Sequence, residues 1–289
     1  MTDATSPTAP SLTADGSLTA AAPALHASSP RPAVYYLAAA GLAAASFALA
    51  RSPTGAPRFN VAAFLSCAAA MASLFAGAGS SLCGRRTGVL IMNRNLMSLA
   101  RLQTALWTLV VLGGFATLAF VRLKTLGPSS ALDIRVDWHL WALMGISTGS
   151  LVGSPLLLEA KSSKTPANSA MARTAQLTGE TASEVDRNRH GSLYSNATPL
   201  DARFEDMFTG DEVGNTAHID LAKLQMFLFT VVTALTYCAS VVALFSQSTG
   251  AIPSALPDVS DGFVAMFGIS HAGYLTSKSV DHTPTVAGG

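Results

Sequence analysis

Apolar residues in this chain fall into six long runs separated by shorter polar segments. The runs cover residues 34–50, 61–83, 98–121, 138–158, 219–246 and 262–278. An α-helix needs about 20 apolar residues to cross the ~30 Å hydrocarbon core of a bilayer. No run shows the period-two alternation that is typical of a membrane β-barrel strand. The pattern predicts an all-α fold, a six-span helical membrane bundle, whose first run is short and whose last contains a histidine and several hydroxyls.

The composition agrees with a membrane location. Charged residues make up 12% of the chain and the mean hydropathy is +0.39, whereas soluble domains carry about 25% charged residues. The net charge of +1 gives no electrostatic reason to expect nucleic-acid binding. Cys67, Cys83 and Cys238 show no CxxC or Cys/His spacing, so we expect small buried hydrophobes and neither a zinc site nor a disulfide framework.

The segments outside the runs differ in composition. Residues 1–33 are rich in Ala, Ser, Thr and Pro, which predicts a disordered tail. A cleaved signal peptide is the competing interpretation, but the tail lacks a basic n-region. The predicted domains are the 1–33 tail, two N-terminal spans in 34–83, a first hairpin in 98–158, a cytoplasmic linker in 159–218, a second hairpin in 219–278 and a C-terminal tail in 279–289.

The linker itself divides in two. Residues 159–199 are polar and have the composition of a flexible connection. Residues 200–220 are acidic and carry Phe204, Met207 and Phe208 at helical spacing. This spacing predicts a short amphipathic helix, and its acidity favours docking on the bundle over adsorption to anionic lipid.

The positions of Lys and Arg predict the orientation. Residues 84–97 hold three arginines and no acid, whereas residues 247–261 hold no Lys or Arg. Placing 84–97 in the cytoplasm puts 13 of the 18 basic residues on that side. We therefore expect both termini and the long linker in the cytoplasm.

Two parts of the sequence repeat. "LARLQTALWTLVV" at 99–111 aligns with "LAKLQMFLFTVVT" at 221–233, and "LMGISTGSLVGS" at 143–154 aligns with "MFGISHAGYLTS" at 266–277. The repeating unit is therefore a whole helical hairpin. An even number of spans separates the copies, so the sequence predicts a parallel repeat about an axis near the membrane normal, unlike the inverted repeats of many transporters.

The repeat has a packing interpretation. Gly145, Gly149 and Gly153 form a GxxxGxxxG stripe, and Gly268 and Ala272 echo it. Small residues allow helices to approach closely in a membrane. At the helix entrances, the paired Arg101 and Lys223 can extend their charges into the headgroups.

A functional interpretation of the same repeat is a polar path through the bundle. Its candidate residues are Gln103, Gln225, Ser147, Ser270 and His271. His271 is the sharpest of them, because an imidazole at membrane depth can gate, relay protons or contact an ion. A neutral histidine bonded to a neighbouring hydroxyl or Gln is the structural alternative.

No enzyme motif is present in the sequence. It contains no GxSxG, HExxH or P-loop. We therefore expect no enzymatic activity, no cofactor and no metal site.

Four stretches of the chain resemble a known group of proteins. They are "MNRNLMSLARLQTALWTLVV", "LMGISTGS", "GDEVGNTAHIDLAKLQMFLFTVV" and "MFGISHAGYL". Together they resemble a group of uncharacterised bacterial multipass membrane proteins over residues 85–280. The resemblance implies a bacterial inner membrane and supplies no activity, catalytic residue or binding residue.

Two functions are compatible with these features. The first is a membrane scaffold or sensor that contacts a cytoplasmic protein through its acidic segment or tail. The alternative is a subunit of a small channel or transporter. A lone six-span bundle has room only for a narrow pore, so the alternative requires a homo-oligomer. In both cases the lipid bilayer is the expected surroundings.

Overall fold

The computed structural model describes residues 32–51, 57–247 and 251–286, and within these ranges the fold is helical. The helices are α1 (Ala33–Leu49), α2 (Pro57–Cys83), α3 (Leu99–Trp107), α4 (Gly113–Leu126), α5 (Trp138–Ser162), α6 (Asn168–Thr178), α7 (Ala182–Asn188), α8 (Leu221–Ser246) and α9 (Asp261–Ser279). A π-helical turn, Thr108–Leu112, joins α3 to α4. The described residues form isolated β-bridges but no strand.

The prediction of a helical membrane protein is confirmed at this level. Among the described residues, five helices are long and apolar enough to cross a bilayer: Pro32–Leu49, Arg58–Cys83, Leu99–Leu126, Trp138–Ser162 and Leu221–Ser246. The sixth predicted span corresponds to α9, a 19-residue helix that does not belong to this set. Six spans and an internal duplication therefore stay predictions.

The helices surround an apolar core. α1 packs mainly on α2, α2 on α4 and α8, α3 on α5, and α9 on both α5 and α8. The centre of the bundle is Trp107, which is 2% exposed and stacks edge-on against Phe267 at 6.1 Å. Other members of this cluster are Phe64, Val110, Val111, Leu118, Leu140, Leu143, Tyr237, Val241, Phe245 and Leu256.

One end of the bundle carries a folded cap. We define the cap as residues 163–220 together with the hairpin 88–98 and the C-terminal segment 280–286. Leu96, Val185, Tyr194 and Val213 form a small apolar core inside it. A second cluster, Ile91, Met97, Leu99, Ala202, Met207, Met226 and Tyr274, joins the cap to the bundle.

The structure differs from the sequence interpretation of the linker. Residues 159–199 contain the end of α5 and both α6 and α7. Thr181 begins α7 with a capping box, in which Thr181 and Glu184 bond each other's backbone N–H. Local capping and contact with the hairpin thus order a segment whose composition alone indicated a connection.

The acidic segment is not the amphipathic helix that its spacing predicted. Phe204–Met207 is a single 3₁₀ turn. Asp206 bonds the backbone N–H of Arg203, and such local side-chain bonds favour turns over helix. The segment nevertheless docks on the bundle, because Met207 is 1% exposed and Phe208 stacks on Phe227 of α8 at 5.0 Å.

The two ends of the chain are described unequally. The predicted N-terminal tail lies, as far as residue 31, outside the described residues. The C-terminal segment can be followed to residue 286, where it bonds the connection between α5 and α6. Val286 donates its N–H to the carbonyl of Thr165 at 3.0 Å, and Ala167 donates to Pro284 at 2.8 Å.

Candidate functional site

Four helices meet at a buried polar cluster in the bundle, which we call the core node. It consists of Gln103 from α3, Ser150 from α5, Thr230 from α8 and His271 from α9. Gln103 donates through Nε2 to Thr230 Oγ1 and lies 3.3 Å from His271 Nε2. His271 Nδ1 lies 2.6 Å from Ser150 Oγ. Gln103 is 0% and His271 2% exposed, so the node is closed to its surroundings.

The hydrogen bonds of His271 are those of a neutral ring when the Gln103 amide nitrogen faces it. The Gln103 amide nitrogen has only hydrogens to offer, so the Nε2 atom that it contacts accepts. Nδ1 then carries the ring proton and donates to Ser150 Oγ. This arrangement satisfies both ring nitrogens of a neutral imidazole.

Several polar atoms near the core node have no hydrogen-bond partner among the described residues. They are Gln103 Oε1, Ser147 Oγ, Ser270 Oγ, Trp107 Nε1 and Tyr237 OH. Burying an unpaired polar group in an apolar region costs free energy. A cavity of about 190 Å³ reaches Trp107 and Tyr237 from the end of the bundle opposite the cap.

A second cluster lies where the cap meets the helices, and we call it the charge node. Its centre is Asp211, whose side chain is 11% exposed. Asp211 binds Arg94 at 2.7 Å, Lys278 at 2.6 Å and Lys223 at 2.9 Å. All three cations are 4–6% exposed at the side chain, so this carboxylate joins the hairpin, α8 and α9 in a nearly water-free place.

Glu212 completes the charge node. Its side chain is 2% exposed and binds Lys161 of α5 at 2.6 Å. The backbone N–H groups of His282 and Thr283 donate to Glu212 Oε2 at 3.0 and 2.9 Å. Glu212 therefore connects α5 to the C-terminal segment of the cap.

The electrostatics of Asp211 follow from these contacts. Burial alone raises the pKa of this carboxyl. The neighbouring Lys223, Lys278 and Arg94 outweigh burial and hold the pKa of Asp211 well below its usual range. Asp211 is thus ionised at neutral pH, and the four cations of the charge node face two carboxylates.

The two nodes tie together nearly the same elements at two depths. Thr230 and Lys223 are seven residues apart on α8, and His271 and Lys278 are seven apart on α9. At 1.5 Å per residue, the nodes lie about 10 Å apart along these helices. α5 contributes Ser150 to one node and Lys161 to the other. A shift of α8 or α9 would therefore disturb both.

The structure brings together most of the predicted polar-path residues. Gln103 and His271 bond each other, and Ser147 and Ser270 are buried on the facing helices α5 and α9. Gln225 is the exception: it is exposed on α8 and does not face Gln103. Only one of the paired glutamines therefore belongs to the candidate site.

The predicted glycine contacts need a correction. Gly145, Gly149 and Ala272 lie on exposed helix surface, and a Cβ added at Gly145 or Gly149 would meet nothing within 4 Å. Gly153 and Gly268 have only ordinary contacts, to Leu275 and Ile146 at 3.7 Å. α5 instead buries its serine face, residues Ser147, Ser150 and Ser154, where Ser150 bonds His271 and Ser154 bonds Tyr274 of α9.

The paired cations Arg101 and Lys223 also differ in environment. Arg101 is exposed, whereas Lys223 is 4% exposed and bound to Asp211. The interpretation of Lys223 as extending into the headgroups was therefore wrong.

Sequence reasoning missed the charge node. The sequence offered two signals: a single lysine near the end of each of three helices, and the acidic pair in "GDEVGN". Nothing in their spacing shows that they meet, because Lys161 and Glu212 are 51 residues apart.

The described residues contain no group of three His, Cys, Asp or Glu side chains that could hold a metal ion. None of the cavities described here is lined by both Gly-Ile-Ser segments. No protein-family model matches the chain, and no match was found among curated proteins or solved structures.

Proposed function

We propose that this protein is a membrane-embedded scaffold or sensor that couples its helix bundle to a partner protein through the cap. The observation that carries the proposal is the charge node. Two adjacent carboxylates, Asp211 and Glu212, bind α5, α8, α9 and the hairpin before α3 through buried ion pairs. The core node joins α5, α8 and α9 as well. A change in the packing of these helices at the core node therefore also displaces the lysines that hold the cap.

The cap offers exposed surface to a partner. Leu177 on α6 is 53% and Leu200 58% exposed, and α7 presents exposed Asp186 and Arg187. We place this surface in the cytoplasm of a bacterial inner membrane. The excess of Lys and Arg on the cap side supports that orientation.

A photo-crosslinking experiment in native membranes tests the scaffold function. A photoreactive residue at position 177 is expected to give a protein adduct, and the same residue at exposed position 132, in a loop at the other end of the bundle, is the matched control. His271→Gln, which changes the core node, is expected to alter the adduct yield at position 177 at least threefold. Equal adducts at 177 and 132, or a yield unaffected by His271→Gln, would argue against a cap that reports on the bundle.

One observation favours the channel or transporter as a second candidate. Trp107 and Tyr237, whose buried polar atoms are unpaired among the described residues, line the 190 Å³ cavity, and the unpaired hydroxyls of Ser147 and Ser270 are buried on the helices that carry Ser150 and His271. We infer that these polar atoms line a narrow path when the helices move. In this candidate Gln103 and His271 are polar lining groups that the passing ion or solute needs.

Flux measurements in proteoliposomes separate the two candidates. His271→Leu should abolish any ion or solute flux in a channel, whereas Gln225→Leu should leave it unchanged because Gln225 is exposed. Flux that is absent from the wild type, or equal in both variants with the fold intact, excludes the polar path.

A further inference from the structure

A long groove runs beside α3, between α2 and α5. Its volume is about 570 Å³, within the roughly 300–1,000 Å³ of small-molecule sites. Phe75 of α2, Ala105 of α3 and Leu151 and Pro155 of α5 form its walls. α2 packs on α4 and α8, whereas α5 packs on α3 and α9, so this flank of α3 is left uncovered.

The mouth of the groove is polar and cationic. Arg101, Asn93 and Ser98 line it. Arg101 donates to the carbonyl of Val89 at 3.3 Å, and among the described residues no carboxylate lies within 4 Å of its guanidinium. Its charge is therefore available to an anion.

The depth of the mouth follows from helix length. The span Leu99–Leu126 has 28 residues, about 42 Å at 1.5 Å per residue, against ~30 Å of hydrocarbon. Arg101 in the first turn therefore lies at the level of the headgroups. Thr108, seven residues on, lies about 10 Å deeper along the same wall.

Both helices that line the inner part of the groove are irregular there. The π-helical turn begins at Thr108, and such turns occur often at functional sites. Pro155 has no N–H to donate to the carbonyl of Leu151, four residues earlier. Two independent interruptions of regular helix thus adjoin the same groove.

We propose that this groove binds a membrane phospholipid with a net negative headgroup. The phosphate lies against Arg101 and the positive end of the α3 dipole. One acyl chain follows the apolar walls past Phe75 and Ala105 toward Leu151. Charge complementarity selects the headgroup, and the length of the apolar walls requires a chain, which a free phosphate lacks.

Native mass spectrometry of the full-length protein, released from nanodiscs of equal phosphatidylglycerol and phosphatidylcholine, tests this site. Wild type is expected to retain one phosphatidylglycerol. Arg101→Gln should lower its retention about tenfold, and Ala105→Phe should remove lipid of both kinds by filling the groove. Arg135→Gln is the matched control, because Arg135 is exposed, makes no ion pair among the described residues and lies outside the groove.

The outcomes are distinguishable. Equal lipid retention in wild type and Arg101→Gln, equal retention of the two lipids, or complete displacement by inorganic phosphate would each overturn the proposal. A dimer that Ala105→Phe dissociates, with lipid retention unchanged, would show a second copy of the chain in the groove. Arg101 is exposed, so Arg101→Gln tests the site even where Ala105→Phe fails to fold. Arg101 contacts the cap through the carbonyl of Val89 but takes no part in the charge node, so failure here leaves the scaffold proposal standing.

Discussion

Replacing Asp211 with asparagine is expected to lower the free energy of unfolding by about 3–5 kcal/mol. Asparagine keeps the size of the side chain but leaves Arg94, Lys223 and Lys278 without their shared carboxylate. Removing one partner of a buried ion pair leaves uncompensated buried charge, which is far more costly than losing an exposed pair. Reversible denaturant unfolding in mixed micelles measures the difference.

Asp133→Asn is the matched control for this substitution. The Asp133 side chain is 90% exposed and lies 3.8 Å from Arg122, so its replacement should change stability by less than about 0.5 kcal/mol.

The pH dependence of stability gives a second readout for Asp211→Asn. Because the folded pKa of Asp211 is depressed, its contribution is complete above the unfolded pKa of about 4 and is lost as pH falls through the lower folded value. Asp211→Asn should remove this acid-dependent part of stability; similar losses in both variants would contradict a special role for Asp211.

Glu212→Gln is expected to lower the free energy of unfolding by about 3 kcal/mol and to loosen the C-terminal segment. Glutamine can still accept from the N–H groups of His282 and Thr283, but it leaves the ammonium of Lys161 buried without a counter-charge. Limited proteolysis should then cleave residues 280–286 faster than in the wild type. Faster cleavage confined to residues 280–286 distinguishes local loosening of this segment from unfolding of the whole chain.

A double variant provides the control for Glu212. Lys161→Met removes the buried cation, so adding it to Glu212→Gln should restore at least half of the lost stability. Additive losses in the double variant would mean that Lys161 and Glu212 do not act as a pair. The exposed pair Lys164–Asp281, whose side chains are 36% and 50% exposed, should show little coupling in the same cycle.

The membrane-length helices could be predicted from the sequence because hydrophobic run length is a local property. Five of the six runs correspond to membrane-length helices, and α8 ends at Ser246, as the 219–246 run indicates. α5 continues to Ser162, four residues beyond the predicted 158, because Lys161 is held inside by Glu212. Composition cannot show that a lysine is paired.

The candidate site was only partly predictable for the same reason. His271 and Gln103 stood out as polar residues in apolar runs, and they do meet. The similarity of Gln103 and Gln225 suggested equal roles, but helix rotation exposes Gln225. Which face of a helix is buried depends on all its neighbours, and a repeat in sequence does not fix it.

The glycine stripe of α5 was predicted to form helix contacts, but the structure places most of it on the exposed surface. Its spacing is typical of close helix contacts, yet Gly145 and Gly149 face away from the bundle. Ser150, on the other face of α5, makes the contact, because His271 requires a partner for Nδ1. A polar requirement thus decided the packing face where small size alone did not.

The cap is a folded unit that Asp211 and Glu212 fix to the helices. Hydrogen–deuterium exchange of the protein in nanodiscs tests it most directly, through peptides covering residues 190–216 and 280–286. The bonds from Val213 N–H to Ser192 and from Thr283 N–H to Glu212 predict exchange over minutes to hours, as slow as in α9. Complete exchange of these peptides within seconds, while α8 and α9 stay protected, would contradict a fixed cap.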